Sequence, residues 1–376
     1  KISFVLLRIY FALIPFTFIP NNIIYWPYKI IPVLIILLEI DVVIKFFKHY
    51  SHRYLYLIAF TILAIAISFG TKYFYLASKG SLLYFFAYGF LLPVLINKLS
   101  SKDNQQKLFK SFSFGIILTA IAMALYFIPA LRLPSYILKY HLTGGILNPR
   151  LGIGGVNDYA IVLVIHFLWL NYLVREINIL KNSKYFYYIL DIFLIVVTGS
   201  RVGLYSVFLY FLSNIIIFRK KVFNTKTFLS LILLILIGIS IYFVFLESEY
   251  KQIRVFNIFE LQTRLEFLEL SRYLQPFGSG IGTHSLTNYF HTPYSIRLSD
   301  MHNNFLIMFY DTGFLVAPLF YIYLFLTIFN CQIKRKILIF IFFFNIIAVT
   351  HIFQDIFTLF LAIGMSSLNS KKVISK

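Results

Sequence analysis

One cysteine, Cys331, occurs in 376 residues, so no intramolecular disulfide can form. Charge is also scarce: 13% of residues are charged, and the acids number 14 against 34 lysines and arginines. The histidines follow no HExxH or Cys/His ligand spacing, which leaves a metal site unsupported despite His284 and His291. No internal repeat is present, and no linker separates soluble domains. Apolar segments do not alternate in tens, which argues against a strand barrel.

What is present is apolar length. Hydrophobic residues make up 60% of the chain, and the mean hydropathy is +0.83. Runs such as "FLSLILLILIGISIYFVFL" approach the roughly 20 residues that a membrane span requires. The expected class is an all-α polytopic membrane protein, a single integral membrane domain over 1–376. About twelve spans are expected: Ile2–Ile19, Ile30–Phe47, Tyr54–Phe69, Ser81–Ile96, Phe109–Ile128, Val156–Leu173, Tyr185–Val197, Val202–Phe218, Thr227–Phe245, Asn303–Phe329, Ile337–Val349 and Ile356–Leu368. The first run reads as a helix rather than a cleavable signal peptide.

Alternate connections are basic. Lys45, Lys48 and Arg53 share one side with Lys98, Lys102, Lys107 and Lys110. Arg175, Lys181, Lys184, Arg219, Lys220, Lys221, Lys226, Lys334, Arg335 and Lys336 follow. With Lys1, Arg8, Lys371, Lys372 and Lys376, these place both termini in the cytoplasm. The net charge of +20 is then mostly topology and attraction to membrane lipids; no nucleic-acid partner is expected.

The remaining cations face the other side, and arginine leads among them: Arg132, Arg150, Arg201, Arg254, Arg264, Arg272 and Arg297. Topology needs only charge, whereas arginine suits bidentate recognition of phosphate or carboxylate. The external face therefore suggests an anionic ligand, with snorkelling to lipid headgroups as the alternative. Two external loops are large, 129–155 and 247–301, the latter between the ninth and tenth spans. Within the second, "NIFELQTRLEFLELSRYL" reads as a helix. Arg264 and Arg272 would stand about 12 Å apart along it and some 80° around it, able to flank one elongated anion. Glu260–Arg264 as an ordinary surface pair is the other reading. "PFGSGIGTH" follows a helix rather than a strand, so a tight connecting loop is expected there rather than a dinucleotide fingerprint.

In "VTGSRVGL", Thr198 or Ser200 can cap the eighth span and leave Arg201 in its first turn. A cation there opposes the helix dipole unless it and the free N–H groups hold an anion together. His302 is expected in the first turn of the tenth span, where the dipole and nearby arginines favour the neutral, proton-accepting imidazole. Asp300 either caps that helix or orients the imidazole.

Four stretches in order, "NPRLGIGGVNDYA", "TGSRVGL", "TRLEFLELSRYLQPFGSGIGTH" and "MHNNFLIMFYDTG", resemble the bacterial O-antigen polymerase (Wzy-type) and O-antigen ligase superfamily of membrane glycosyltransferases. The resemblance includes a His-Asn pair followed ten residues later by glycine, here Asn303 to Gly313; Ala317 fits the family pattern only loosely. It implies a metal- and cofactor-independent transfer of glycan from undecaprenyl pyrophosphate on the periplasmic side of the inner membrane. Arg201 and Arg264 would contact the pyrophosphate, and His302 would serve as base or orienter of the acceptor hydroxyl. Arg150, Arg272, Asn303, Asn157 and Arg297 are the substrate-binding candidates, and a chain-length regulator protein is an implied partner. A polymerase is expected, weighed against a ligase acting on lipid A–core and against a flippase. Glu39, Asp41 and Asp191 are the features that favour transport; packing near the interfaces explains them equally well.

Overall fold

A computed structural model describes residues 2–18, 22–70, 74–127, 155–174, 180, 183–198, 200–217, 275–278, 280–281, 304–328, 341 and 354–365. These residues are helical almost throughout and contain no strand. The helices are α1 (Ile2–Leu13), α2 (Asn22–Leu38), α3 (Ile40–His49), α4 (Ser51–Ser68), α5 (Phe74–Phe85), α6 (Leu92–Lys98) and α7 (Lys102–Phe127). They continue as α8 (Gly155–Tyr172), α9 (Lys184–Thr198), α10 (Arg201–Ile217), α11 (Asn304–Thr312), α12 (Ala317–Ile328) and α13 (Gln354–Met365). Two apolar stretches, Ser51–Ser68 and Ser78–Lys98, are long enough to cross a membrane. The expected ninth span and nearly all of the eleventh, along with all but the last residue of loop 129–155 and most of loop 247–301, lie outside the described residues.

Pairwise contacts set the helix directions. Arg8 Nε donates to Ser111 Oγ (3.2 Å), and Gly115 lies against the Ala12 backbone, where an added Cβ would collide; α1 and α7 are therefore parallel. Ser3 donates to Glu39 (2.5 Å) and Tyr10 stacks on Tyr28 (5.3 Å), which makes α2 antiparallel to α1. Leu57 meets Gly89 and Phe60 meets Tyr84 (6.4 Å), so α4 is antiparallel to α5 and α6. One end of the bundle thus gathers the start of α1, the end of α2, the end of α6 and the start of α7, with Lys98, Lys102 and Lys107.

Between α5 and α6, Phe86–Leu91 widens into a π-helical turn. Such a turn breaks the regular i→i−4 ladder, so its carbonyls need outside donors. Tyr54 donates to the Gly89 carbonyl (3.0 Å) and Tyr323 to the Tyr88 carbonyl (2.8 Å). These two phenols join α4 and α12 to the turn.

Two expected spans differ from the structure. The second begins earlier, at Asn22, and stops at Leu38; Glu39 is non-helical (φ −120°, ψ 24°). Its carboxylate is drawn to Lys98 (2.5 Å) and Ser3, which fixes the interruption. The tenth is also broken, at Gly313, whose φ of +84° suits a residue without Cβ. Beyond the break, α12 folds back so that Phe305 and Phe309 both meet the Tyr321 ring, at 4.7 and 5.8 Å. A straight helix would hold Phe305 about 24 Å from Tyr321.

Candidate functional site

The turn before Arg201 folds as its sequence suggests. Ser200 is buried, and its Oγ accepts from the Gly203 N–H (3.3 Å), capping α10 and leaving Arg201 as its first residue. Gly203 is wedged between α8 and α9: a Cβ built there would lie 3.0 Å from Ala160 and 3.1 Å from Ile195. Further along, Phe167 meets Tyr210 (5.8 Å) and Phe211 (5.9 Å), so α8 and α10 run parallel. Their first turns therefore stand side by side, one holding Asn157 and the other Arg201. Adjacent helix N-termini bring two positive dipole ends together, an arrangement suited to an anion, although Ser200 already takes the Gly203 N–H. The end of the bundle they occupy is opposite the one that carries Lys102 and Lys107.

Of the other candidates, Arg150, Arg264, Arg272, Arg297, His302 and Asn303 lie outside the described residues, as do the side chains of Asn157 and Arg201. The glycine loop after Arg272 is described in part, and it is a tight connector. The Gly280 N–H donates to the Asp311 carbonyl (2.7 Å), and Phe314 and Leu315 donate back to Gln275 (3.0 Å) and Pro276 (3.2 Å). A Cβ on Gly278 or Gly313 would strike the facing backbone. The glycines of this loop thus admit backbone to backbone, at the break between α11 and α12. Ile281 continues from it onto Gly80 of α5.

A second polar cluster joins α7, α8 and α9. His166 Nε2 is 2.7 Å from Ser113 Oγ, and its Nδ1 is 2.8 and 2.9 Å from the two Asp191 oxygens. These are the residue types and distances of a Ser-His-Asp relay. Their setting rules out hydrolysis: Ser113 is 1% exposed, and His166 and Asp191 are 0% exposed. Phe109 stacks on the imidazole at 4.4 Å, and Phe112 and Tyr187 close its edges. No substrate carbonyl can reach the hydroxyl. The cluster instead satisfies its own members, because Ser113 also donates to the Phe109 carbonyl (2.8 Å). Asp191 lies about 10 Å along α9 from its lysine-bearing start and about 15 Å from the turn at Arg201, so the cluster is separate from the paired helix starts.

Sequence reasoning noticed Asp191 but missed His166 and Ser113. A signal existed, since an acid in an apolar helix needs a partner and His166 is the only basic residue of α8. Glu39 is likewise paired, with Lys98 and Ser3. Two of the three acids that could have indicated a transport path are thus engaged within the bundle, and the third, Asp41, is exposed. No protein-family model matches this chain, and none of the curated proteins does.

Proposed function

We propose that the chain is a membrane-embedded glycosyltransferase, a polysaccharide polymerase. On this reading it moves a growing glycan from undecaprenyl pyrophosphate to a lipid-linked repeat unit on the periplasmic face. The membrane part rests on helices that are inside out. In α9, Asp191 is fully buried, while Tyr185, Phe186, Ile189 and Phe193 are 66, 56, 69 and 62% exposed. Leu55, Ile62, Tyr75, Phe114 and Phe325 extend the apolar exterior around the bundle. A soluble monomer rarely exposes contiguous apolar patches beyond a few hundred Å²; lipid is the solvent such a surface fits.

The observation that carries the chemistry is the paired first turns of α8 and α10, with Arg201 at the capped end of one of them. Two helix starts lie side by side there, one of them beginning at Arg201, and positive dipole ends in that position would stabilise a pyrophosphate as its charge develops. Arg201 and Arg264 hold the pyrophosphate, and Arg150, Arg272, Arg297, Asn157 and Asn303 position the glycan and its carrier. His302 accepts the proton of the incoming hydroxyl as the new carbon–oxygen bond forms. The bond from the anomeric carbon to pyrophosphate breaks, and its electron pair leaves with the carrier. Pyrophosphate needs no acid to depart, which is why cations and one base suffice.

The test is incubation of the purified protein with lipid-linked repeat units. A ladder of glycan lengths supports the polymerase. Transfer only to lipid A–core would make the chain a ligase, and no transfer to either acceptor would return the flippase to the fore.

A further inference from the structure

Helix α3 was expected to complete a membrane span, yet its two ends lie at nearly the same depth. Its start follows Glu39, which is paired with Lys98, the last residue of α6, and with Ser3 near the start of α1. Its end leads into Ser51 of α4. Leu57 meets Gly89 in the antiparallel neighbour, which sets Ser51 about 9 Å beyond that level, while Lys98 stands about 13 Å beyond it. The two depths differ by about one helical turn. The intervening helix is about 15 Å long and packs against α6 and α4. It therefore runs along the rim of the bundle rather than through it.

Its side chains divide into three sectors. Val43 is buried and Phe46 half-buried against Tyr50 (4.6 Å) and Tyr54 (6.2 Å), which fixes the face on the bundle. Ile40, Ile44 and Phe47 are 41, 46 and 38% exposed and fall within about 60° of one another around the axis, with Phe47 at the edge next to the bundle, where its ring meets Tyr54 (4.7 Å). Lys45, Lys48 and His49 are exposed on the remaining arc; Asp41 is exposed there too and offsets one of the two lysine charges. The exposed apolar sector lies between the bundle face and the cationic face. This is the order of protein, acyl chains and headgroups met by a helix lying in a membrane interface.

We infer that α3 is an in-plane interfacial helix and that its occupant is an anionic phospholipid leaflet. Ile40, Ile44 and Phe47 enter the acyl boundary while Lys45 and Lys48 engage headgroup phosphates. Lys102 and Lys110, exposed at the same end of the bundle, extend the cationic rim and favour an anionic over a zwitterionic surface. The inference rests on the reading of the bundle as membrane-embedded.

The test uses the full chain with Cys331→Ser, reconstituted in nanodiscs, carrying one spin label at Ile44→Cys, Lys48→Cys or Ile62→Cys. Collision with oxygen reports lipid, and collision with a nickel chelate reports water. Ile62 should favour oxygen, Ile44 should favour oxygen at shallower depth, and Lys48 should favour nickel several-fold more than Ile44. A water-exposed Ile62 overturns the membrane reading itself. A water-exposed Ile44 beside a lipid-exposed Ile62 overturns only the interfacial helix, as does deep burial of both Ile44 and Lys48. For the headgroup claim, detergent-washed protein should retain phosphatidylglycerol several-fold over phosphatidylcholine, and Lys45→Gln/Lys48→Gln should lose that preference. Equal retention by both proteins overturns the anionic leaflet as the occupant.

Discussion

The two ends of the bundle use positive charge differently. At one end, lysines sit on exposed helix surfaces or pair locally: Lys107 with Asp103 one turn away (2.6 Å), and Lys98 with Glu39 across helices. At the other, Arg201 is the first residue of a helix that Ser200 caps. A lysine that completes a surface pair or meets a headgroup can be replaced at little cost. On the proposed reading, Arg201, a cation at the positive end of its helix, serves a ligand.

That contrast can be broken at several points. His302→Ala should have the largest effect, lowering glycan transfer about 10²–10⁴-fold, the usual cost of losing a general base. Binding of lipid-linked substrate should persist, and Asp300→Asn, which can still cap, should keep much of the rate. His166→Ala should cost about 3–5 kcal/mol of stability by leaving Asp191 buried and unpaired. Thermal unfolding in detergent reads this loss, and His166→Ala/Asp191→Ala should recover part of it. Recovery separates an unpaired charge from a simple cavity.

Next come Arg201→Lys and Arg264→Lys, which keep charge but lose the guanidinium fork. Each should lose about 1.5–3 kcal/mol of hydrogen bonding to the pyrophosphate, or roughly one to two orders of magnitude in rate, with unchanged unfolding temperature. Full activity in both would reduce them to headgroup anchors. Lys107→Gln at the opposite end should have the smallest effect, about 0.2–0.5 kcal/mol for a solvated i,i+4 pair, with transfer unaffected.

What the sequence made legible was local. Helical runs from Tyr54, Phe109, Val156, Tyr185 and Val202 lie where apolar length placed them, within about one turn at most ends, and the Ser200 cap follows from the four residues around it. The two helix interruptions were not legible, because their causes are distant in the chain. Glu39 breaks its helix toward Lys98, and Gly313 turns against Gln275–Gly280, partners that only tertiary packing supplies. The His166–Asp191 pair escaped for the same reason, its residues lying on separate helices. The paired helix starts were half legible: "TGSRVGL" announces Arg201, but only the contact of Gly203 with Ala160 brings the start of α8 beside it.

The claim that the two ends face different compartments admits one direct measurement. In a Cys331→Ser background, Lys107→Cys and Thr292→Cys are treated separately with a membrane-impermeant maleimide in intact cells whose outer barrier has been made permeable. Thr292→Cys should label and Lys107→Cys should stay shielded until the inner membrane is opened. Labelling of Lys107→Cys in sealed cells, with Thr292→Cys protected, would invert the bundle and remove Arg201 and His302 from the side where transfer is proposed.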